Sequence, residues 1–446
     1  MYADKKPNIV YILADDLGIG DLSCYGQEKL KTPNIDRIAK EGMQFYRHYS
    51  GATVCAPSRS SLMTGLHTGH CPIRGNKHSP LNAKDGNMHM PADIFSMPKM
   101  FKDNNYKAGI FGKWGLGAYE SESFPTKIGF DRFYGYNDQT LAHSYYPKYL
   151  WSDNEKVMLR NSGKKGEIGK DYSADLIQGE LIKFIKENKS QPFFVYYAMT
   201  LPHSYMTVPD KYLEQFKGKY PNESKVKSSS SNPLEAFAGM LYAIDTYVGQ
   251  IFETLEAEGI LDNTIVIFTS DNGAHSGDGH NPVYWNSTAG LRGIKRDLYE
   301  GGIRTPMLVY WKDKVKAGSK TDLVSAFWDV LPSFADIIDA KVPDGLDGIS
   351  FLPTLLGESQ NDTHDYLYWE FHEKGGKQAI LQDDWKLIRL GLNTPKNIKT
   401  ELYNLKDSPT ESDNVYSKNP EKARDLEKLM DSARTTSPIK EFNFKK

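Results

Sequence analysis

Cysteine is scarce in this sequence: Cys24, Cys55 and Cys71 are the three in a chain of 446 residues. Three thiols build no disulfide framework and allow at most one pair, so cysteine usage does not fix a redox compartment. Long apolar runs are missing as well. The longest near the N-terminus, Ile9–Ala14, is far too short to cross a bilayer, and no transmembrane segment is expected. The opening residues lack the basic stretch and apolar core that direct export, so MYADKKPN reads either as a cytosolic start or as a mature start behind an added methionine. There is no excess of charge of either sign. With 55 Lys and Arg against 57 Asp and Glu, the net charge of −2 offers no electrostatic case for nucleic acid or an anionic membrane surface.

The residues that are present describe an ordinary globular chain, 39% hydrophobic and 25% charged, long enough for one large domain with a smaller one or for two full domains. Aromatics make up 12%, with 27 tyrosines and 7 tryptophans, which suits stacking on sugar rings and suits large cores equally. PNIVYILADD, YKAGIFGKWG, PFFVYYAMTLPH, NTIVIFTSDNG and TPMLVYWKD each read as a buried strand running into polar or glycine-rich residues. Helical patterns lie between them, at Thr32–Glu41, Asp175–Asn188 and, most clearly, Leu234–Glu258 before Gly259. In that last segment Phe237, Leu241, Ile244, Val248, Ile251 and Leu255 alternate spacings of four and three, which makes one buried face. The alternation of strands and helices predicts an α/β fold with a large, mostly parallel sheet flanked by helices. KVKSSSSNP (225–233) reads as a polar surface loop. From about residue 361 the pattern changes to the closely spaced strand-like YLYWEF, KQAILQD, WKLIRL and ELYNL, followed by a charged helix, Pro420–Ala433. This predicts a main domain over 1–360 and a C-terminal antiparallel-sheet subdomain over 361–446.

Ligands in an open α/β sheet collect beyond the carboxyl ends of the strands. One strand ends in Asp15 and Asp16, another in Asp271 and Asn272. Either pair alone is an ordinary turn signal. Together they bring three carboxylates and an amide to one rim, and an all-oxygen set suits a hard cation, Ca²⁺ or Mg²⁺. The same rim receives Lys113 from GKWG and His203 from TLPH. In TVCAPSRSSLMTG, Pro57 suits the first turn of a helix, which sets Cys55 and Arg59 four apart at the end where free backbone N–H groups attract anions.

CAPSRSSLMTG matches C-x-P-S-R-x-x-x-x-T-G, and the sequence here resembles the formylglycine-dependent sulfatases of the alkaline phosphatase-like superfamily. The likeness continues in family order through ADD, GKWGLG, LPH, SDNG and GIKRDLYEGGIRTP, to about residue 355 and more loosely beyond. It implies that Cys55 is converted by a maturation enzyme to formylglycine, whose hydrate carries one hydroxyl to attack sulfur and another to expel sulfate. It implies Ca²⁺ on Asp15, Asp16, Asp271 and Asn272, with Mg²⁺ the lesser choice. Arg59 would hold the formylglycine, and Lys113, His203 and Lys295 would contact the sulfate or the leaving oxygen. Many members carry GKWHLG where this chain has Gly115, so that histidine's contact must be lost or made by another residue. With it gone, His203 is expected to protonate the leaving oxygen on an ordinary pKa of about 6.5. His143, His275 and His372 are candidate substrate contacts, and FYGYNDQTLAHSYYP and YWEFHEKGGKQ place His143, His372 and several aromatics in loop-like contexts. The resemblance favours a sulfated galactose- or N-acetylgalactosamine-type saccharide and a periplasmic or extracellular location. A phosphodiesterase or phosphonate hydrolase on the same fold, and a silent glycan-binding protein, are the other readings.

Overall fold

The computed structural model describes residues 6–76, 88–222 and 227–444. The first five residues of MYADKKPN, and Lys225 and Val226 of the serine-rich loop, lie outside the described residues. In chain order the strands are β1 Asn8–Ala14, β2 Met43–Phe45, β3 His48–Tyr49, β4 Lys107–Lys113, β5 Arg132–Tyr136, β6 Tyr149–Ser152, β7 Glu155–Met158, β8 Phe193–Ala198, β9 Thr264–Ser270 and β10 Met307–Trp311. They continue with β11 Ser319–Thr321, β12 Ser325–Ala326, β13 Leu367–Phe371, β14 Lys377–Gln382, β15 Trp385–Leu390 and β16 Lys399–Asn404. Ten strands form one sheet in the order β11–β2–β10–β9–β1–β8–β4–β5–β6–β7. Its centre, β9–β1–β8–β4–β5, is parallel. Strand β10 joins β9 antiparallel, as β6 and β7 continue the opposite edge, so the sheet is mixed.

The central strands are apolar on both faces because both are covered. Val10 and Ile12 of β1 enter one core, which includes the helix Pro233–Ala257, whereas Ile9, Tyr11 and Leu13 enter the other. The stripe Phe237, Leu241, Ile244, Val248, Ile251 and Leu255 is buried, and Gly259 follows in the left-handed region at φ 67°. Asn232 caps this helix through its side chain, with Pro233 at the first helical position. The helices expected at Thr32–Glu41 and Asp175–Asn188 span Pro33–Glu41 and Ser173–Asn188. No helix among the described residues is long and apolar enough to cross a membrane.

FYGYNDQTLAHSYYP and YWEFHEKGGKQ are only partly loops. Phe133–Tyr136 belong to β5, and Tyr368–Phe371 belong to β13. YLYWEF and KQAILQD, expected as strands, supply β13 and β14, and His143 and His372 lie beyond the ends of β5 and β13.

Strands β13 to β16 form an antiparallel meander. One face packs Leu367, Trp369 and Phe371 on Tyr49, Val54, Leu298 and Trp328, and the other face receives the helix Pro420–Ser432 through Ala423, Leu426 and Met430. The Trp369 indole donates to the Ser50 carbonyl at 2.9 Å. A largely buried ion network crosses the same boundary: Lys386 Nζ lies 2.8 Å from Glu300 and 2.9 Å from Glu411, and Glu300 also meets the half-buried Arg304 at 2.6 Å. Removing one member of such a network leaves uncompensated charge in the interior. Lys386→Met therefore leaves Glu411 without its cation and Glu300 with Arg304 alone, and urea unfolding should reveal a loss of about 3–5 kcal/mol. An unchanged midpoint and slope would mean that this network does not tie the C-terminal sheet to the main body.

Candidate active site

Strands β1 and β9 are parallel neighbours in a register that pairs Ala14 with Ser270. The next residues, Asp15 and Asp271, therefore emerge side by side, followed by Asp16 and Asn272. Asp16 adopts a left-handed backbone (φ 67°), and its N–H donates to Asp271 Oδ1 at 3.1 Å. A left-handed non-glycine residue is held there by its surroundings. After Asn272 the chain needs Gly273, because a Cβ there would stand 2.0 Å from the Gly301 carbonyl oxygen.

Cys55 is the first residue of the helix Cys55–Thr64, which follows an extended Val54 and ends at Gly65 in the left-handed region. The whole helix is buried. Arg59, one turn further on, forms a forked contact with Asp271 Oδ2, Nε at 3.0 Å and Nη2 at 2.8 Å, and donates from Nη1 to the Lys113 carbonyl at 2.9 Å. Lys113 is the last residue of β4, and its Nζ donates to Asp15 Oδ2 at 2.7 Å. Lys295 Nζ reaches Asp16 Oδ2 at 2.6 Å and lies 3.7 Å from Cys55 Sγ, which is itself 3.3 Å from Asp15 Oδ1. His203 Nε2 lies 3.2 Å from Asp16 Oδ2, while Nδ1 donates to the Ser204 carbonyl at 2.7 Å.

Three carboxylates and three cationic side chains thus share a dry site, none more than 6% exposed. Burial works against the charge of Asp15 and Asp16, but the facing cations outweigh it. Lys113 leads for Asp15 and Lys295 for Asp16, and both carboxyls lie well below the usual range. Asp271 is pushed up to about 6 by burial and by the Asp15 charge. Burial, then Asp15, pushes the Cys55 thiol up to about 12. Burial, then Lys295, holds His203 well below its ordinary value. The ring therefore lies below the ordinary value of about 6.5 on which the acid role was expected.

The donor set fits a hard cation. Among the described residues Asn272 Oδ1 is a buried acceptor without a hydrogen-bond partner, and Asp15, Asp16, Cys55 and His203 each offer a donor atom within 4.8 Å of the others. An orphaned amide oxygen among carboxylates is what an oxygen-coordinated Ca²⁺ would satisfy.

The remaining candidates separate. His143 is half-buried and stacks on His203 with ring centroids 4.4 Å apart. His275 is buried with both nitrogens engaged, Nδ1 accepting from the Gly277 N–H at 2.9 Å and Nε2 facing the Pro202 carbonyl at 3.2 Å. It has no atom left for a substrate. His372 is also withdrawn: it is 3% exposed, lies 2.9 Å from Glu370 and stacks on Phe444. Glu370 is a buried acid held by Arg74 and Arg434, so His372 completes a structural ion network. Two residues near the site escaped sequence reasoning. The amide of Gln139 fills the space beside Gly115, where a Cβ would meet its Nε2 at 2.1 Å. His280 stacks behind His275. Only the short spacing from His275 hints at His280, and nothing local hints at Gln139.

Residues 7–340 match the family model "Sulfatase", and residues 294–436 match "N-sulphoglucosamine sulphohydrolase, C-terminal". The chain belongs to the sulfatase family. It is thus a sulfuric ester hydrolase by class, and its sheet architecture is the alkaline phosphatase-like one. The sulfatase is 29% identical to the N-acetylgalactosamine-6-O-sulfatase of Bacteroides thetaiotaomicron over 97% of this chain and 94% of that protein. It is 29% identical to the human N-acetylgalactosamine-6-sulfatase over 79% of this chain and 66% of that one. Among solved structures it resembles Ps i-CgsB in complex with k-i-k-neocarrahexaose, at 28% identity and a TM-score of 0.81, covering 96% of this chain and 92% of that one.

The donor geometry sets an expectation for metal binding. Isothermal titration with Ca²⁺ should reveal one site, and Asp271→Ala should weaken it by at least about tenfold by removing a charged oxygen ligand. Equal affinities in the two proteins would take Asp271 out of the ligand set.

Proposed function

We propose that the protein removes sulfate from a sulfated saccharide of galactose or N-acetylgalactosamine type, with Cys55 as the precursor of the attacking group. The observation that carries this reading is the enclosure of Cys55 Sγ between Asp15 at 3.3 Å, Asp16 at 4.0 Å and Lys295 at 3.7 Å, at the buried start of a helix. The names of the bacterial and human relatives, and the oligosaccharide bound to Ps i-CgsB, support the saccharide class.

Conversion of Cys55 to formylglycine would supply a geminal diol, one hydroxyl for attack on sulfur and one for release of sulfate, and Ca²⁺ on Asp15, Asp16, Asp271 and Asn272 would lower the charge cost of that attack. The chain's own residues do the rest. Arg59 is anchored on Asp271 and fixes the start of the chemistry relative to the strand ends. Lys113 and Lys295 border Cys55 with permanent positive charge, which draws in an anionic ester and stabilises charge on its oxygens. His203 aims Nε2 into the same space. A sulfate anion placed against that nitrogen favours the imidazolium, opposing burial and Lys295, so substrate binding itself arms the acid for the leaving oxygen. Gln139 beside Gly115 and His143 on His203 come from one segment between β5 and β6. A separate maturation enzyme would read the segment containing Cys55, Pro57 and Arg59, and the mature protein would act in the periplasm or outside the cell.

The decisive experiment is mass spectrometry of the Cys55 peptide combined with assays on a sulfated and a phosphorylated aryl ester. Converted residue and turnover of the sulfate ester are expected; preference for the phosphorylated ester would favour the phosphohydrolase reading. Cys55→Ser should bind substrate and release no more than one equivalent of alcohol, because serine has no second hydroxyl to expel sulfate. Sustained turnover by that variant would sink the precursor role. A sugar alkoxide needs a proton as it leaves, whereas a phenolate does not. His203→Ala should therefore lose at least about tenfold more activity on a sugar sulfate than on an activated aryl sulfate, and equal losses would pass the acid role to Lys295.

A further inference from the structure

His203 is one ring in a column. The His143 ring lies on one side of it at 4.4 Å between centroids and 9° between planes. On its other side His275 lies at 5.6 Å and 15°, followed by His280 at 4.8 Å and 27° from His275. Phe237, from the long helix Pro233–Ala257, closes the column at 4.1 Å from the His280 ring. The rings come from three separate loops at the rim, those after β5, β8 and β9, so the column joins chain segments that sequence keeps far apart.

His275 grips His203 twice. Its ring faces the His203 ring, and its Nε2 lies 3.2 Å from the carbonyl of Pro202, the residue before His203. Because Nδ1 of His275 accepts from the Gly277 N–H at 2.9 Å, the proton must sit on Nε2 and be donated to Pro202. Gly277 thereby fixes the tautomer that holds the His203 backbone. His280 has no hydrogen-bond partner among the described residues at either nitrogen and is 4% exposed, so its contribution is the face of its ring. Burial holds His275 and His280 below their ordinary pKa values.

We propose that His275, backed by His280, is a positioning residue for sulfate-ester hydrolysis, holding the His203 imidazole at the reaction centre through ring stacking and the Pro202 carbonyl. The inference rests on the sulfatase reading given above. A reacting group displaced by about 1 Å can lose up to about 100-fold in rate.

The test is a double-mutant cycle in the matured, Ca²⁺-loaded protein, with kcat and KM measured on a sugar sulfate and an aryl sulfate. His275→Ala is expected to lower kcat by about 10–100-fold with little change in KM, and to reproduce the leaving-group dependence of His203→Ala. The double variant His203→Ala/His275→Ala should be no slower than His203→Ala alone, because His275 acts through His203. His275→Phe and His280→Phe keep a ring in the column, so His280→Phe should stay within about threefold of wild type and His275→Phe should recover much of the loss in His275→Ala. Multiplicative losses in the double variant, or wild-type kcat in His275→Ala, would overturn the proposal. If His275→Ala does not fold, His275→Phe decides: kcat equal to wild type removes the Pro202 contact from the argument, and a kcat defect confined to variants that retain His203 upholds it. Failure of the wild-type protein to hydrolyse any sulfate ester would count against the proposed function; the cycle addresses the positioning role only where that activity exists.

Discussion

Asp15, Asp16 and Asp271 stand almost without solvent at the ends of two adjacent parallel strands, and each faces a fixed cation. Stripping water from three carboxylates is offset only where opposite charge is held at hydrogen-bond distance. Arg59 meets Asp271, Lys113 meets Asp15, and Lys295 meets Asp16. Those cations come from a helix, a strand end and a distant loop. Their convergence requires that β1, β4 and β9 be in register and that the helix Cys55–Thr64 enter at one angle. The fold around the site can be understood as what holds this charge cluster closed. With charges of both signs equal in number, a divalent cation would leave the site with a surplus of positive charge, which is a condition for receiving an anionic ester.

The position of the cluster was legible because strand ends are legible. Apolar runs such as NTIVIFTS stop at polar residues, and the parallel sheet brings those stops to one rim, so Asp15, Asp16, Asp271 and Asn272 could be grouped from sequence. The helix beginning at Cys55 could be read from Pro57 and Gly65. Burial could not. His372 and His143 look alike in sequence, each set among aromatics, yet one completes a buried network with Glu370 and the other stays half exposed on His203. Gln139 and Gly115 are far enough apart that only the folded loop brings the amide over the glycine. Antiparallel edge strands such as β6 and β7 were missed for a related reason: they are short, and partners rather than periodicity define them.

The C-terminal sheet is tied to the main body close to the site. Val54, beside Cys55, packs in the same cluster as Trp369, and the Trp369 indole holds the Ser50 carbonyl. The Ala56 N–H donates to Asn76 at 2.9 Å, and the Asn76 N–H donates to Glu373 beyond the end of β13. Residues more than three hundred positions downstream thus brace the start of the Cys55 helix.

That bracing has a consequence for the order of events in the cell. Cys55 is 1% exposed, and every residue of its helix is buried. On the proposed reading, a maturation enzyme would have to reach this side chain while its helix is still uncovered. Such an alteration would then fall before β13 to β16 dock, when the segment from Ser50 to Asn76 is still uncovered. Synthesis and chemistry would then run as a race, and a chain whose C-terminus arrived first would close over an unaltered thiol.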